Sequence, residues 1–327
     1  MAVPVLDVDP LFGGSSPSRA AADRALGRAC ETVGFVVVTG SIVAVISAPE
    51  RIASLFRFFD LAEPNRRALA RARYVPGNPN RYRGYFPTTN GEATFKEGID
   101  IGPEFDPADP RYAVPHLLLE GNRWPAEADL PGWRQAVLDY WDAMIRLGTV
   151  LMHGLARHLG LAETWFDGFF AATNSTLRVL RYPVRTAASL AGAGERAWTV
   201  HDGVRRPIVA AEHVDSGILT LLHQDGVGGL QVRQDGWVDV PPLAGSIVVN
   251  LGTALQRWTN DRCVATPHRV LGGPAPRHSV PFFFEPAVDA SLACIPGAGQ
   301  PRHPPVTYGD FLVEAMQRFV ETRGVTG

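Results

Sequence analysis

The sequence predicts a mainly β protein with packed helices, a sandwich or barrel core whose outer face is covered by helices from the first half of the chain. Three observations predict it. Beyond residue 175 the apolar residues recur with a period of two, in short runs parted by Gly, Pro, Asn and Asp, the pattern of strands in an all-β unit. Before residue 175 the period is mostly helical, in long stripes rich in Trp and Phe. Strands that alternate on one side need cover, and those helices are the cover available. The 327 residues, 46% apolar and 20% charged, can bury a large core, which excludes disorder. Length alone allows one or two domains; the need for cover favours one core.

The elements follow in order. Val3 to Val8 alternates as a short strand. Pro17-Ser18 opens a helix whose Leu26, Ala29, Cys30 and Val33 form one stripe, and Gly34 stops it. Phe35 to Val38 reads as a β-branched strand, and a second helix starts near Ser47 with Pro49 in its first turn and Ile52, Leu55, Phe56 and Phe59 on its buried side. From Tyr74 to Pro115 the text turns to Pro, Gly, Asn and aromatics, with a strand at Ile99 to Ile101. This is a long, irregular segment of the kind that carries function. A long helix spans about Pro131 to Leu159, since Trp133, Val137, Trp141, Met144, Leu151, Leu155 and Leu159 keep the helical period. Strands follow at Leu177 to Tyr182, Ile218 to Leu222, Leu230 to Arg233, Trp237 to Val240, Ile247 to Leu251 and Ser279 to Glu285, with a helix starting at Thr253 as its cap. The loop from Thr186 to Pro207, with Trp198 and His201, is long enough to act as a lid. A last helix is capped by Thr307 and buries Phe311, Ala315, Met316 and Phe319.

Charge and cysteine usage narrow the function classes. Lys plus Arg (31) against Asp plus Glu (33) leaves a formal charge of −2, with no basic field for nucleic acid. Cys30, Cys263 and Cys294 are odd in number and widely spaced, which points away from a disulfide framework and toward a reducing cytoplasm. No run of about 18 apolar residues occurs and no signal-peptide pattern opens the chain, so membrane spanning and secretion are both disfavoured.

The chemistry concentrates late in the chain. In His213-Val214-Asp215 the first and third side chains of an extended segment project to the same side. His268, 55 residues on, can complete the set. Two imidazoles and one carboxylate on one face of a metal leave the opposite positions open, which suits non-heme Fe(II) and oxygen. By itself an H-x-D with a distant His is a weak signal. Arg277-His278-Ser279 opens another strand, so Arg277 and Ser279 share a face and can grip one carboxylate, the guanidinium in a fork and the hydroxyl as a third donor.

Taken together, these residues resemble the Fe(II)- and 2-oxoglutarate-dependent dioxygenases of the isopenicillin N synthase-like branch. Gln224-Asp225-Gly226-Val227-Gly228-Gly229-Leu230-Gln231-Val232, Gly245 to Gly252, Arg257 to Asn260, Ala265 to Val270 and Ser279 to Pro286 are similar to that branch, as is the Val3 to Phe35 stretch. Thr253 and Ala265 depart from it without removing a ligand. The resemblance implies a double-stranded β-helix, or cupin-like jelly roll, divided as an N-terminal α/β module at 1–174, a core at 175–300 and a C-terminal helix at 301–327. It implies Fe(II) on His213, Asp215 and His268, with 2-oxoglutarate and O2 as cosubstrates. The 2-oxoglutarate C5 carboxylate then meets Arg277 and Ser279, with Tyr182 also reaching it. If Tyr182 faces the cavity, alternation turns Leu180 and Arg178 inward too, and an inward Arg178 needs an anion, either the cosubstrate or an acidic substrate. An ion pair near the rim is the competing role for Arg178, whose Arg-Val-Leu-Arg segment resembles bacterial ethylene-forming enzymes. Arg83, Tyr85, Lys96 and Phe284 are the substrate candidates. For Arg83 and Lys96, solvated surface charge is the other reading.

The activity implied is hydroxylation, desaturation or ring closure of a small molecule, such as an amino acid or other specialised metabolite, by a monomer or homodimer. Three alternatives stay open. Arg277 and Ser279 could hold the substrate's own carboxylate in an oxidase that uses no 2-oxoglutarate, the chain could form ethylene, or the jelly roll could be a ligand receptor or a zinc hydrolase. The intact triad argues against the receptor, and no general base is evident for the hydrolase.

Overall fold

The computed structural model describes residues 2–104, 108–110 and 116–322. Of the irregular stretch from Tyr74 to Pro115, residues 105–107 and 111–115 therefore lie outside the described residues.

Strand β1 (Val5–Asp7) leads to helix α1 (Pro17–Thr32), where Ser16 accepts a hydrogen bond from the Arg19 N–H and Pro17 takes the first helical position. The helix ends at Gly34, whose φ is +70° and where a Cβ would lie 2.3 Å from the Val264 carbonyl oxygen. Only glycine fits that turn. Strand β2 (Phe35–Thr39) follows, then α2 (Ser41–Ile46), α3 (Pro49–Phe56), α4 (Glu63–Ala68), β3 (Gly84–Phe86) and β4 (Glu97–Ile101). The long helix is α5 (Trp133–His158), followed by α6 (Asp167–Phe170) and β5 (Thr176–Tyr182). Next come α7 (Ala187–Leu190), β6 (Trp198–His201), β7 (Val204–His213), β8 (Leu219–Gln224), β9 (Leu230–Arg233), β10 (Trp237–Asp239), β11 (Ile247–Leu251) and α8 (Thr253–Trp258). The chain closes with β12 (His268–Leu271), β13 (Arg277–Phe284) and α9 (Tyr308–Met316). Thr307 caps α9 by accepting from the Asp310 N–H. Thr253 does not cap α8: Gly252 holds the cap position and Thr253 is already helical.

Two sheets face each other. One has eight strands in the order β1-β2-β11-β8-β13-β5-β4-β3, and the other has five in the order β10-β9-β12-β7-β6. Apart from the parallel β1–β2 pair, the named neighbours are antiparallel. The expected division near 174 runs through hydrogen-bonded strands, since β2 pairs with β11 and β4 pairs with β5. The first half thus supplies four strands of the larger sheet as well as the helices behind it.

Strand alternation splits the interior in two. On the outer face of the eight-stranded sheet, Val36, Val38, Leu177, Val179, Leu219, Leu221, Ile247, Val249, Val280, Phe282 and Phe284 join Leu26 of α1 and Leu147 and Leu151 of α5 in one core. On the inner face, Phe35, Val37, Leu180, Tyr182 and Val248 meet Val209, Leu230, Val232 and Val270 from the smaller sheet. This pair of curled antiparallel sheets with helices on one side is the double-stranded β-helix arrangement, and a cavity occupies one end of it. No helix among the described residues is long and apolar enough to cross a membrane.

Candidate active site

Strand β7 ends at His213, the following turn carries Asp215, and β12 begins at His268, directly opposite His213 in the ladder. This register brings the three side chains to the cavity wall. Each ring is oriented by its other nitrogen: His213 Nδ1–H donates to the Ala211 carbonyl (2.8 Å) and His268 Nδ1–H to the Thr266 carbonyl (3.2 Å). Asp215 Oδ2 accepts from Thr220 Oγ1 (2.6 Å) and Asn250 Nδ2 (2.7 Å). What remains free is Asp215 Oδ1, lying 3.6 Å from His213 Nε2 and 3.7 Å from His268 Nε2. Three ligand atoms are thus gathered without being hydrogen-bonded to one another, with their outer atoms fixed by a supporting shell. That donor set fits a divalent iron.

The protonation states fit as well. Burial, with the adjacent His268, pushes the His213 imidazole down to about 4. Burial opposes ionisation of Asp215, but His268, His213 and the bonds from Thr220 and Asn250 outweigh it and hold the carboxyl down to about 2. Near neutral pH the site presents a neutral imidazole at His213 and an ionised carboxylate, the states that bind metal.

Arg277, at the start of β13, lines the same cavity and is 3% exposed. Its Nε–H donates to the Gly228 carbonyl (3.0 Å) and its Nη2–H to Gln224 Oε1 (3.2 Å), while Nη1 is buried with no partner. A buried guanidinium nitrogen left unsatisfied marks a place for an acceptor that comes from outside the chain. Ser279 Oγ, fully buried, lies 3.5 Å from the Tyr182 hydroxyl, and the Arg277 guanidinium sits over the Tyr182 ring. The structure therefore brings Arg277, Ser279 and Tyr182 together, a donor cluster of the kind that receives a carboxylate.

Strand β5 alternates as expected. Tyr182, Leu180 and Arg178 line the cavity, whereas Val179 enters the outer core and Arg181 pairs with Glu97. Arg178 is saturated from within: Nε and Nη2 donate to the two oxygens of Asp100 (2.6 and 2.8 Å) and Nη1 to Glu321 (3.0 Å). Asp100 also takes Arg71, and Glu321 also takes Lys96 (2.9 Å). Lys96 lines the cavity at 11% side-chain exposure, so it is a buried ion-paired cation and not a solvated one.

Three expected substrate contacts are corrected. Arg83 is fully buried, its Nη groups donating to Thr176 Oγ1 (2.6 Å), Asn174 Oδ1 (3.0 Å) and nearby carbonyls while Nε has no partner, so it is neither a surface charge nor on the cavity wall. Tyr85 points from β3 into the helix-covered core and donates to Glu97 (2.7 Å). Phe284 is on the outer face of β13, stacked on Phe170 and packed into the groove at Gly148 of α5, where a Cβ would come within 2.5 Å of its ring. The cavity residues on that strand are Arg277, Pro281, Phe283 and then Glu285. Counting by two from Arg277 would have found Phe283 and Glu285. The loop from Thr186 to Pro207 is no lid, since it folds as α7 and the β6–β7 hairpin and contributes nothing to the cavity lining. The closing segment is instead the C-terminal one: Leu312, Met316, Phe319, Glu321 and Thr322. Asn250 and Thr220, which orient Asp215, were also missed; Asn250 shows as a polar residue inside the apolar strand Ile247 to Leu251.

Known proteins carry the same pattern. Residues 194–286 match the 2OG-Fe(II) oxygenase superfamily, and residues 3–127 match the N-terminal family of non-haem dioxygenases in morphine synthesis. The chain is 30% identical to isopenicillin N synthase of Streptomyces clavuligerus, covering 99% of this chain and 97% of that one. It is 31% identical to the 2-oxoglutarate-Fe(II) type oxidoreductase hxnY of Emericella nidulans, over 97% and 90%. Among solved structures, a full-length Neurospora crassa protein crystallised in complex with alpha-KG superposes with a TM-score of 0.78 at 26% identity, covering 96% and 95%. The chain belongs to the 2-oxoglutarate- and Fe(II)-dependent oxygenase superfamily, among relatives that include the isopenicillin N synthases, and is an oxidoreductase with Fe(II), 2-oxoglutarate and O2 as its reactants and cofactors.

Proposed function

We propose that His213, Asp215 and His268 hold Fe(II), that Arg277, with Ser279 and Tyr182 beside it, binds the C5 carboxylate of 2-oxoglutarate, and that the cavity oxidises an unactivated C–H bond of a small molecule. One observation carries this reading: the triad and Arg277, whose Nη1 has no partner within the chain, line the same cavity. Iron bound there supplies the oxidising power: O2 is consumed as 2-oxoglutarate loses CO2 and becomes succinate, one oxygen atom going to succinate and the other to the substrate.

The chain's own part is positioning. Ala211 and Thr266 fix the imidazoles, and Thr220 and Asn250 aim the carboxylate. Leu180, Leu222, Leu230 and Val270 keep the cosubstrate end apolar, so Arg277 meets its carboxylate away from competing water. Phe283, Pro281, Leu312, Met316 and Phe319 shape the substrate end. Arg178 stands in this reading as a positioning residue that ties β5 to β4 and to the C-terminal segment, with Lys96 extending the same network. The substrate is a polar metabolite of amino-acid size, the enzyme acts in the cytoplasm, and it works as a monomer or homodimer.

Oxygen uptake followed together with succinate release tests the reading. Succinate should form in step with O2 consumed, and Arg277→Ala should raise the 2-oxoglutarate KM far more than it lowers kcat. Oxygen uptake without succinate would instead make Arg277 the clamp for the substrate's own carboxylate.

A further inference from the structure

Glu285 follows β13 directly and continues its inward register after Arg277, Ser279, Pro281 and Phe283. Its side chain lines the cavity although the residue is only 4% exposed, and its Oε2 is buried with no hydrogen-bond partner. The Tyr308 hydroxyl, from the first turn of α9, is likewise buried and faces the Glu285 carboxyl. Both tips converge on Gly217, two residues past Asp215: a Cβ there would stand 2.8 Å from Glu285 Oε1 and 3.5 Å from the Tyr308 oxygen.

Neither nearby cation forms an ion pair with Glu285: Arg178 is taken by Asp100 and Glu321, and Arg83 donates to the neutral Thr176, Asn174 and Leu118 carbonyl, so its charge reaches Glu285 only through space. Asp215, the other nearby carboxylate, adds negative charge. Of the cavity-lining carboxyls among the described residues, Asp215 belongs to the triad and Glu321 is paired with Lys96 and Arg178; Glu285 has no cation of its own. A buried carboxyl in that state is costly to ionise, and burial pushes it up to about 8 against the weaker pull of the Tyr308 hydroxyl, Arg83 and Arg178 nearby. A ligand bearing a positive charge would supply both the missing counter-charge and the missing donor.

We infer that Glu285 is a specificity-determining residue, and that the substrate carries a protonated amine which docks on its carboxylate beside the triad. The inference rests on the cavity being the substrate site of the oxygenase proposed above. A cation anchored at Glu285 sits on the same wall as Phe283 and next to the strand turn that carries Asp215, so it fixes which carbon of the substrate faces the metal.

The test is isothermal titration calorimetry under anaerobic conditions on the Fe(II)- and 2-oxoglutarate-loaded protein. Two matched pairs serve as probes: cyclohexylamine against cyclohexanol, and phenethylamine against phenethyl alcohol. Each amine should bind wild-type protein roughly tenfold or more tighter than its alcohol, and Glu285→Gln, which keeps shape but not charge, should erase the difference. Equal binding of amine and alcohol to the wild type overturns the inference, as does an amine preference that survives in Glu285→Gln or a wild type that binds neither amine at millimolar concentration. A 2-oxoglutarate titration of the same samples separates the two claims. If 2-oxoglutarate fails to bind the iron-loaded wild type, the site reading itself has failed; if it binds normally and the amine preference does not depend on Glu285, only the present inference has.

Discussion

Phe283 and Phe284 are neighbours on one strand with opposite surroundings, and the two faces of the eight-stranded sheet differ in the same way. The outer face is apolar and closed: Val280, Phe282 and Phe284 pack into the core with α5. The inner face, read from the alternate residues of the same strands, turns Arg277 and Pro281 toward a cavity that Glu285 after β13, Asp215 from the turn after β7 and the two histidines of the facing sheet complete, with polar atoms left free. Unsatisfied buried groups are expensive, so those that also line a cavity mark where a ligand can complete them. By that criterion the charged network of Arg71, Asp100, Arg178, Glu321 and Lys96 is scaffold, because its members largely satisfy one another.

This contrast predicts substitutions that separate function from fold. The largest effect is expected at Asp215→Ala, which should abolish iron retention and succinate formation while leaving the circular dichroism spectrum native; metal analysis of the purified variant checks it. On the outer face, Phe284→Ala should cost about 3–5 kcal/mol in chemical denaturation with the iron and 2-oxoglutarate affinities of the surviving folded protein intact. Phe283→Ala should do the reverse, raising the substrate KM with a smaller loss of stability. If both phenylalanines behave alike, the division between faces is wrong. Asn250→Ala removes one of the two donors that aim Asp215, and should weaken Fe(II) binding by about 10- to 100-fold, measured by competition with a chelator.

The smallest effect is a pH slope. Glu285 has its carboxyl raised by burial from 4.5 to about 8. In that window the folded state holds a proton which the unfolded state has lost, so stability falls as pH rises, by at most about 1.4 kcal/mol per pH unit from this group. Denaturation of metal-free protein at several pH values should show the slope flatten in Glu285→Gln.

Much of the inner face was legible in the sequence because a period of two is a strong constraint. His213-x-Asp215 and Arg277-x-Ser279 announce shared faces, and Tyr182 with Arg178 follows from the same rule. The same rule carried along β13 from Arg277 puts Phe283, and not the expected Phe284, on the cavity face. Strand β7 was invisible because Val204-Arg205-Arg206-Pro207 has no apolar alternation; it is held by its pairing with β6 and β12. Arg83, Lys96 and Arg178 show the other limit. A sequence displays a cation but not its partner, and Glu321, which neutralises both Lys96 and Arg178, lies 143 residues beyond Arg178.

The most direct test of the central claim is anaerobic visible spectroscopy of the Fe(II)-loaded protein titrated with 2-oxoglutarate, in the wild type and in Arg277→Ala. The account predicts a weak charge-transfer band that saturates in the wild type and needs much more 2-oxoglutarate in the variant. Iron bound with no band, or a band whose titration is unchanged by Arg277→Ala, would contradict it.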